Sequence, residues 1–374
     1  MRGNITRRGK SSWQLKFDVA SDDCKRHTRY ATVRGTYKDA QRKLTELLGA
    51  ADDGTLPDPT SATVADYFRA WLGSAREQSP KTLERYGELI DRQIVPHLGA
   101  HKLQKLRPEH VQHWHGTLIN LGLSPRTIGH AHRLLRLVLK SAMANSTLSR
   151  NVAAVHSPPK VEDEEIEILS VDQIADVLAK LDGHTLYPIV ALALATGMRR
   201  GELIGLQWGD IDLDCGTLRV ERSVEETKAG LRLKSPKTKR GRRNITLSID
   251  TVAMLRAYKV KMMELRLALG MGNVTPETLV FSTVEGALLR PRNLSKAWWR
   301  TRSALKLPSV SFHAFRHSHA SMLIRAGVDV LTISRRLGHA QASITLNVYG
   351  HLYEGADAAA AKAISGILGT PRER

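Results

Sequence analysis

Two proline-bearing polar stretches, ADDGTLPDPTSAT (51–63) and SPPKVEDEEIEILS (157–170), constrain this chain more than any other feature. Both interrupt every apolar periodicity that reaches them. Proline cannot continue a helix or donate to a sheet, and Gly, Asp, Ser and Thr favour turns. The chain therefore divides into three segments, each of which needs its own buried face. Its 374 residues are enough for two or three cores. The expected domains are 1–58, 62–156 and 165–374.

Each segment has its own period. In the first, Trp13, Leu15 and Phe17 alternate with polar residues as a half-buried strand does, and HTRYATVRGTY is also strand-like. After Thr36, the residues Ala40, Leu44, Leu47 and Leu48 recur at helical spacing. The second segment reads as all-helical. Val64, Phe68, Trp71 and Leu72 form one stripe. Ser79-Pro80 and Ser124-Pro125 each set an N-cap before a first-turn proline, which predicts helices over 79–94, 107–121 and 124–145. The third is mostly helical from Ser170. It is interrupted by TLRVERSVEET and LRLKSPKTKRGRRNITLS, read as strands joined through the turn KAG, and its tail ADAAAAKAISGIL reads as a short helix. The fold class is thus mainly α with small β elements (α+β): a strand-strand-helix domain, a helical domain, and a mixed, mostly helical domain with a β-hairpin region.

Charge narrows the partners. Fifty-six Lys and Arg against 37 Asp and Glu leave +19, and cutting at residues 60 and 160 spreads the excess as +4, +8 and +7. An excess so evenly spread points to a polyanion, and hence to nucleic acid. On the 124–145 helix, Arg126, His130, Arg133, Arg136 and Lys140 recur every three or four residues. Such a stripe is ordinarily a solvated face; in so basic a segment it reads as a phosphate-contacting one. No run of about 18 apolar residues suggests a membrane span, and MRGNITRRGKSSW lacks the apolar core of a secretory signal. Cys24 and Cys215, far apart and outside any CxxC, fit a reducing cytoplasm.

Four clusters in the third segment carry chemistry. ATGMRRGELIGLQWGDID (195–212) sets Arg199 after Gly197 and puts Glu202 one helical turn on; the bland alternative is a surface Arg–Glu pair. RLKSPKTKRGRR (232–243) has seven Lys or Arg in twelve residues and reads as a hairpin whose tip delivers a lysine to a phosphate. SFHAFRHSHAS (311–321) puts His313 and Arg316 on one helical face. His313 and His317 have metal-pair spacing, but no glutamate follows either and no third ligand is evident. LGHAQASITLNVYGH (337–351) ends one helix at Gly338 and opens another, with Ile344, Val348 and Leu352 as its apolar stripe and Tyr349 at the margin.

One reaction uses all four. Phosphodiester transfer builds extra negative charge that two arginines can clamp through paired hydrogen bonds. A tyrosine attacks as it loses its proton, and a histidine or lysine protonates the departing alkoxide. The phosphotyrosyl ester conserves the bond energy, so no ATP, metal or other cofactor is needed.

TGMRRGE, PKTKRGRR, HAFRH, LGH and NVYGH resemble the signature of the tyrosine recombinases, the phage-integrase family. The resemblance covers about 165–355; 62–156 is similar in character to that family's core-binding domain and 1–58 to the arm-binding domain of phage-type integrases. It implies Arg199 and Arg316 as transition-state arginines and Lys237 as the general acid, with Lys234 and Lys239 flanking it. It implies His313 and His339 for proton transfer and hydrogen bonds, Tyr349 as the nucleophile forming a 3′-phosphotyrosyl link, and Glu202 as a supporting carboxylate. Ala314-Phe315 replaces the family's more usual Asp-Leu and alters no catalytic group. Arg126, Arg133, Arg136, Lys140, Lys239 and Arg240 are DNA-binding candidates. The implied activity is site-specific integration or excision of a mobile element through a Holliday junction. The implied partners are double-stranded DNA attachment sites, a homotetramer and a DNA-bending accessory protein or excision factor. No membrane is implied, and the place of action is the bacterial cytoplasm and nucleoid. A type IB topoisomerase, a non-catalytic DNA-binding regulator and a zinc hydrolase are the rival readings.

Overall fold

The computed structural model describes residues 3–20, 26–53, 56–162, 166–235, 241–350, 361 and 364–365. Lys237, Lys239, Arg240, Cys24, Leu352 and nearly all of the expected tail helix lie outside the described residues. By its contacts the chain separates into two units, Met1–Asp163 and Glu164–Arg374.

The first unit begins with three antiparallel strands, β1 (Gly3–Gly9), β2 (Ser12–Ala20) and β3 (Arg26–Arg34), in that spatial order. Helix α1 (Tyr37–Asp52) follows, started by a reciprocal Thr36–Asp39 capping box. The period-2 pattern turns Leu15 and Phe17 toward Ala40 and Leu44 of α1, where all four are buried. The opposite face carries Thr6, Arg8, Lys16, Tyr30 and Thr32, and Lys16 pairs with both Asn4 and Tyr30 across the strands.

Helices α2 (Val64–Ser74), α3 (Pro80–Leu89), α4 (Val95–Leu98), α5 (Pro108–Asn120) and α6 (Pro125–Ala144) complete this unit. Ser79 and Ser124 cap α3 and α6 ahead of their first-turn prolines. A π-helical turn, Ile90–Ile94, joins α3 to α4 just before Pro96. Proline has no N–H for the ladder, so the backbone widens there. The Trp114 indole donates to the Gln93 carbonyl at 2.7 Å and satisfies it. On α6, Ile128, Leu135, Val138 and Leu139 enter the core, while Arg126, His130, Arg133, Arg136 and Lys140 are exposed.

The second unit holds α7 (Val171–Lys180), α8 (Tyr187–Thr196), α9 (Arg200–Ile204), β4 (Ile211–Asp212), β5 (Thr217–Val220), β6 (Ser223–Thr227), β7 (Gly230–Lys234) and β8 (Arg243–Thr246). Next come α10 (Ile249–Ala268), α11 (Pro291–Ala304), α12 (Ala314–Arg325), α13 (Val330–Leu337) and α14 (Ala342–Tyr349). Helix α8, YPIVALALAT, is apolar on nearly every face and is accordingly central, with Ile189, Val190, Leu192, Ala193 and Leu194 buried.

Two expectations need correction. The basic run is not a hairpin tip between paired strands: β7 pairs with β6 through the KAG turn, while β8 pairs with β5 in a sheet of order β4-β5-β8. The run therefore connects two sheets. On α14, the inward residues are Thr345 and Tyr349, and Ile344 is 40% exposed. Thr345 can be buried because its hydroxyl hydrogen-bonds His339 Nδ1 at 2.8 Å. Tyr349 then packs with Ala320 and Ile324 of α12 and Ile333 and Leu337 of α13.

Candidate active site

The site grows from helix ends. Helix α8 stops at Gly197, whose φ of +65° suits glycine, and a Cβ there would lie 2.6 Å from the His319 ring. Helix α13 stops at Gly338 in the same left-handed conformation. A helix C-terminus leaves carbonyls without intrahelical partners and carries partial negative charge. Here guanidinium groups take them. Arg316 of α12, 3% exposed, donates to Gly197 O at 2.7 Å and Leu337 O at 2.6 Å. Arg199 donates to Gly338 O at 3.2 Å. Arg336 donates to Ala195 O at 3.0 Å and, through Nε, to His319 Nε2 at 3.1 Å.

Glu202 anchors the first arginine. Its carboxylate accepts from the Arg199 backbone N–H and from Nη1, both at 2.9 Å, and from Arg243 Nη2 at 2.8 Å. Burial pushes this carboxyl up, but the hydrogen bond and charge of Arg243, with the charge of Arg199, outweigh it and leave it below the ordinary range. The surface Arg–Glu pair of the bland reading is therefore not what the fold builds: Glu202 is 3% exposed and binds two guanidinium groups.

Arg199, Arg316, His313, His339 and Tyr349 line one cavity of about 530 Å³ together with His317. Glu202 and Lys234 border it as well. His339 is fixed by Thr345, and burial, then the charges of Arg316 and Arg199, push its imidazole down to about 4. His313 is lowered by burial and by Arg316, Arg199 and Arg200. The Tyr349 phenol is pushed up to about 12 by burial, against a smaller opposite pull from Arg316. The cavity thus presents fixed cations, neutral imidazoles and a protonated phenol, a constellation suited to receiving an anion and transferring a group to oxygen.

Lys234 ends β7 and is ion-paired with buried Glu225, which also binds Arg232 at 2.8 Å. Three residues at the site escaped the sequence reading. His317 carried no role beyond metal-pair spacing with His313, yet its Nδ1 lies 2.8 Å from the Tyr349 hydroxyl. Arg243 is submerged in the basic run, where nothing local marks it as a cation that turns inward to Glu202. Arg336, two residues before Gly338, carries no local mark of its contacts with Ala195 O and His319.

A sequence model of the phage integrase family matches residues 166–355, and one of the phage integrase N-terminal SAM-like domain matches 63–119. The chain belongs to the phage integrase family. It is 28% identical over 369 residues to a XerC-like tyrosine recombinase of Caldanaerobacter subterraneus, spanning 93% of this chain and 94% of that protein. It is 31% identical over 328 residues to an integrase of Streptomyces ambofaciens, spanning 84% and 82% of the two chains. The fold is similar to that of the Tn1549 transposon integrase solved with a circular intermediate DNA, at a TM-score of 0.71 and 18% identity over 81% of this chain and 100% of that one. Membership of this integrase family makes the chain a DNA strand-transfer enzyme of the tyrosine recombinase type. No helix among the described residues is long and apolar enough to cross a membrane.

Proposed function

We propose that this integrase cuts and rejoins double-stranded DNA at attachment sites through a 3′-phosphotyrosyl bond to Tyr349. It would integrate or excise a mobile element by way of a Holliday junction, as a tetramer on two duplexes. The observation that carries this reading is the convergence of Arg199, Arg316, His313, His339 and Tyr349 on one cavity.

The scissile phosphate sits between Arg199 and Arg316. Their guanidinium forks pair with its non-bridging oxygens and gain most as negative charge builds on phosphorus. Tyr349 Oη attacks; the bond from phosphorus to the 5′ oxygen breaks as the phosphotyrosyl bond forms. Lys237, carried on the connection between β7 and β8, gives the departing 5′ oxygen its proton. The Glu225 ion pair of Lys234 speaks against that lysine as the acid, since its ammonium is already held. His313 and His339 hydrogen-bond the phosphate oxygens, and Glu202 keeps Arg199 in place. The exposed α6 face with Arg126, Arg133, Arg136 and Lys140 contacts phosphates of the core site, joined by Lys239 and Arg240. Residues 1–58, 62–156 and 165–374 act as arm-binding, core-binding and catalytic modules, with a DNA-bending protein or excision factor as accessory.

The core sequence is read from direct repeats flanking the integrated gene, and a nicked duplex carrying it traps the covalent complex. Parent protein should form a denaturant-resistant adduct, and Tyr349→Phe should bind the duplex equally but form none. An adduct in the Phe variant would remove Tyr349 from its role.

A further inference from the structure

Tyr349 is 1% exposed and shares a buried apolar cluster with Ala320, Ile324, Ile333 and Leu337. So little of the phenol meets solvent that water is poorly placed to take the proton it must shed. A buried hydroxyl in such surroundings needs a protein partner, and here that partner is His317 Nδ1, at 2.8 Å. The two residues lie on separate helices, α14 and α12, and both rings border the cavity. Neither histidine of the expected set is arranged to do this. Nδ1 of His339 is bound to Thr345, and the His313 ring stands nearly perpendicular to that of His317, with centroids 4.9 Å apart.

We propose that His317 is the general base of strand cleavage, taking the Tyr349 proton on Nδ1 and returning it when the strand is rejoined. This rests on Tyr349 being the nucleophile. In the forward step the Oη–H bond breaks as the Oη–P bond forms, the proton passes to Nδ1, and the bond from phosphorus to the 5′ oxygen breaks, that oxygen leaving as a hydroxyl on a proton from the general acid. In the reverse step the DNA 5′ hydroxyl gives its proton back to the general acid of the forward step and attacks phosphorus, the Oη–P bond breaks, and Nδ1–H protonates the tyrosyl oxygen. The base is conditional on substrate. Without DNA its imidazole is pushed down to about 4 by burial, and then by His313 and Arg316. A phosphodiester drawn in by Arg199 and Arg316 brings negative charge beside the ring and raises its basicity as attack begins. Tyr349 therefore stays protonated until a phosphate is in place, which protects the site from idle chemistry.

The test uses the full chain and single-turnover cleavage of the nicked core duplex, comparing His317→Gln and His317→Ala with parent. Glutamine keeps a hydrogen-bond acceptor near the phenol but cannot take its proton. His317→Gln should match parent in thermal unfolding and DNA binding yet cleave about 10²–10⁴-fold more slowly, the usual contribution of a positioned acid–base group. Its rate should climb about tenfold per pH unit as Tyr349 must ionise unaided, while parent climbs less steeply. Placing a ring-fluorinated tyrosine, which ionises more readily, at 349 should speed His317→Gln by a far larger factor than it speeds parent. Cleavage by His317→Gln at the parent rate, or equal fluorination effects in the two proteins, would overturn the assignment. Should His317→Ala fail to fold, the glutamine comparison stands alone. Tyr349→Phe separates the two claims: an adduct there defeats the nucleophile reading, whereas its absence beside a fast His317→Gln defeats only the base.

Discussion

Removing the Glu202 carboxylate should cost the catalytic unit about 3–5 kcal/mol, nearly all of it through Arg243. The two partners are not equal. The Arg199 side chain is 42% exposed, so water screens its pair and leaves it about 0.2–1 kcal/mol. The Arg243 side chain is 5% exposed, and Glu202→Ala strands its cation. Arg243 retains Arg336 O and Gly241 O as acceptors, which solvate it in part but do not neutralise it. For a unit of this size each kcal/mol moves the midpoint by roughly 2–4 °C, so the catalytic transition should fall on the order of 10 °C in calorimetry of the full chain. The double change Glu202→Leu with Arg243→Met should recover much of the loss, because replacing both partners removes the stranded charge. The pH dependence follows from the depressed carboxyl: its stabilisation is complete above the unfolded value of about 4.3 and fades as pH falls through the lower folded value. A Glu202→Ala protein melting within about 3 °C of parent, or a double variant no better than the single, would refute the reasoning.

Gly197→Ala should destabilise the same unit by about 1–2 kcal/mol for the left-handed backbone alone, and more because its Cβ would meet His319 at 2.6 Å and Leu337 at 2.8 Å; urea unfolding reads the shift. Lys237→Ala should slow cleavage about 10²–10⁴-fold, and a 5′-phosphorothiolate substrate, whose leaving group needs no proton, should largely restore it; rescue of Lys239→Ala instead would move the acid two residues on. Arg133→Ala with Arg136→Ala should leave unfolding unchanged and lower the slope of log affinity against log salt by about 2 in gel shifts, one unit per phosphate contact. Deleting residues 1–60 should spare core-site cleavage and abolish recombination that needs arm sites, whereas an isolated 1–60 piece with no preference for flanking DNA would argue against an arm-binding role.

What the sequence disclosed depended on whether the physics is local. Ser79 and Ser124 before prolines, the Thr36 start of α1 and the Gly338 stop of α13 are each decided within four residues, and the fold places them as read. Alternation in β2 disclosed Leu15 and Phe17 for the same reason. The connection from β7 to β8 was misread because a basic run between two strand-like stretches looks the same whether its flanks pair with each other or with β6 and β5. Partner choice is long-range and leaves no periodic mark. The face of α14 was misread because apolarity at Ile344 and Val348 outweighed a threonine that becomes buriable only when His339, six residues earlier, turns toward it.

The same distinction explains why the clusters were legible as a set while Arg243 and His317 were not. Arg199, Arg316 and Tyr349 stand beside glycines or histidines at short spacings, whereas the role of Arg243 is created by Glu202, 41 residues away, and that of His317 by Tyr349, 32 residues away. Both hidden roles arise where three helices end or meet. The C-terminal carbonyls of α8 and α13 hold Arg316, which α12 carries, and the next residue on α12 is His317. Fixing Arg316 by two backbone carbonyls therefore also fixes the start of α12 and sets the ring that follows it against α14. The proposed clamp for the phosphate and the proposed acceptor for the nucleophile's proton share one backbone anchor, so loosening Arg316 should misplace His317 as well. Arg316→Lys, which keeps a charge but lacks the fork that spans Gly197 O and Leu337 O, should accordingly lose more activity than a missing phosphate contact explains. Its cleavage should also gain the steep pH dependence expected of His317→Gln. A variant that is slow but keeps the parent pH profile would show that the two functions are anchored independently.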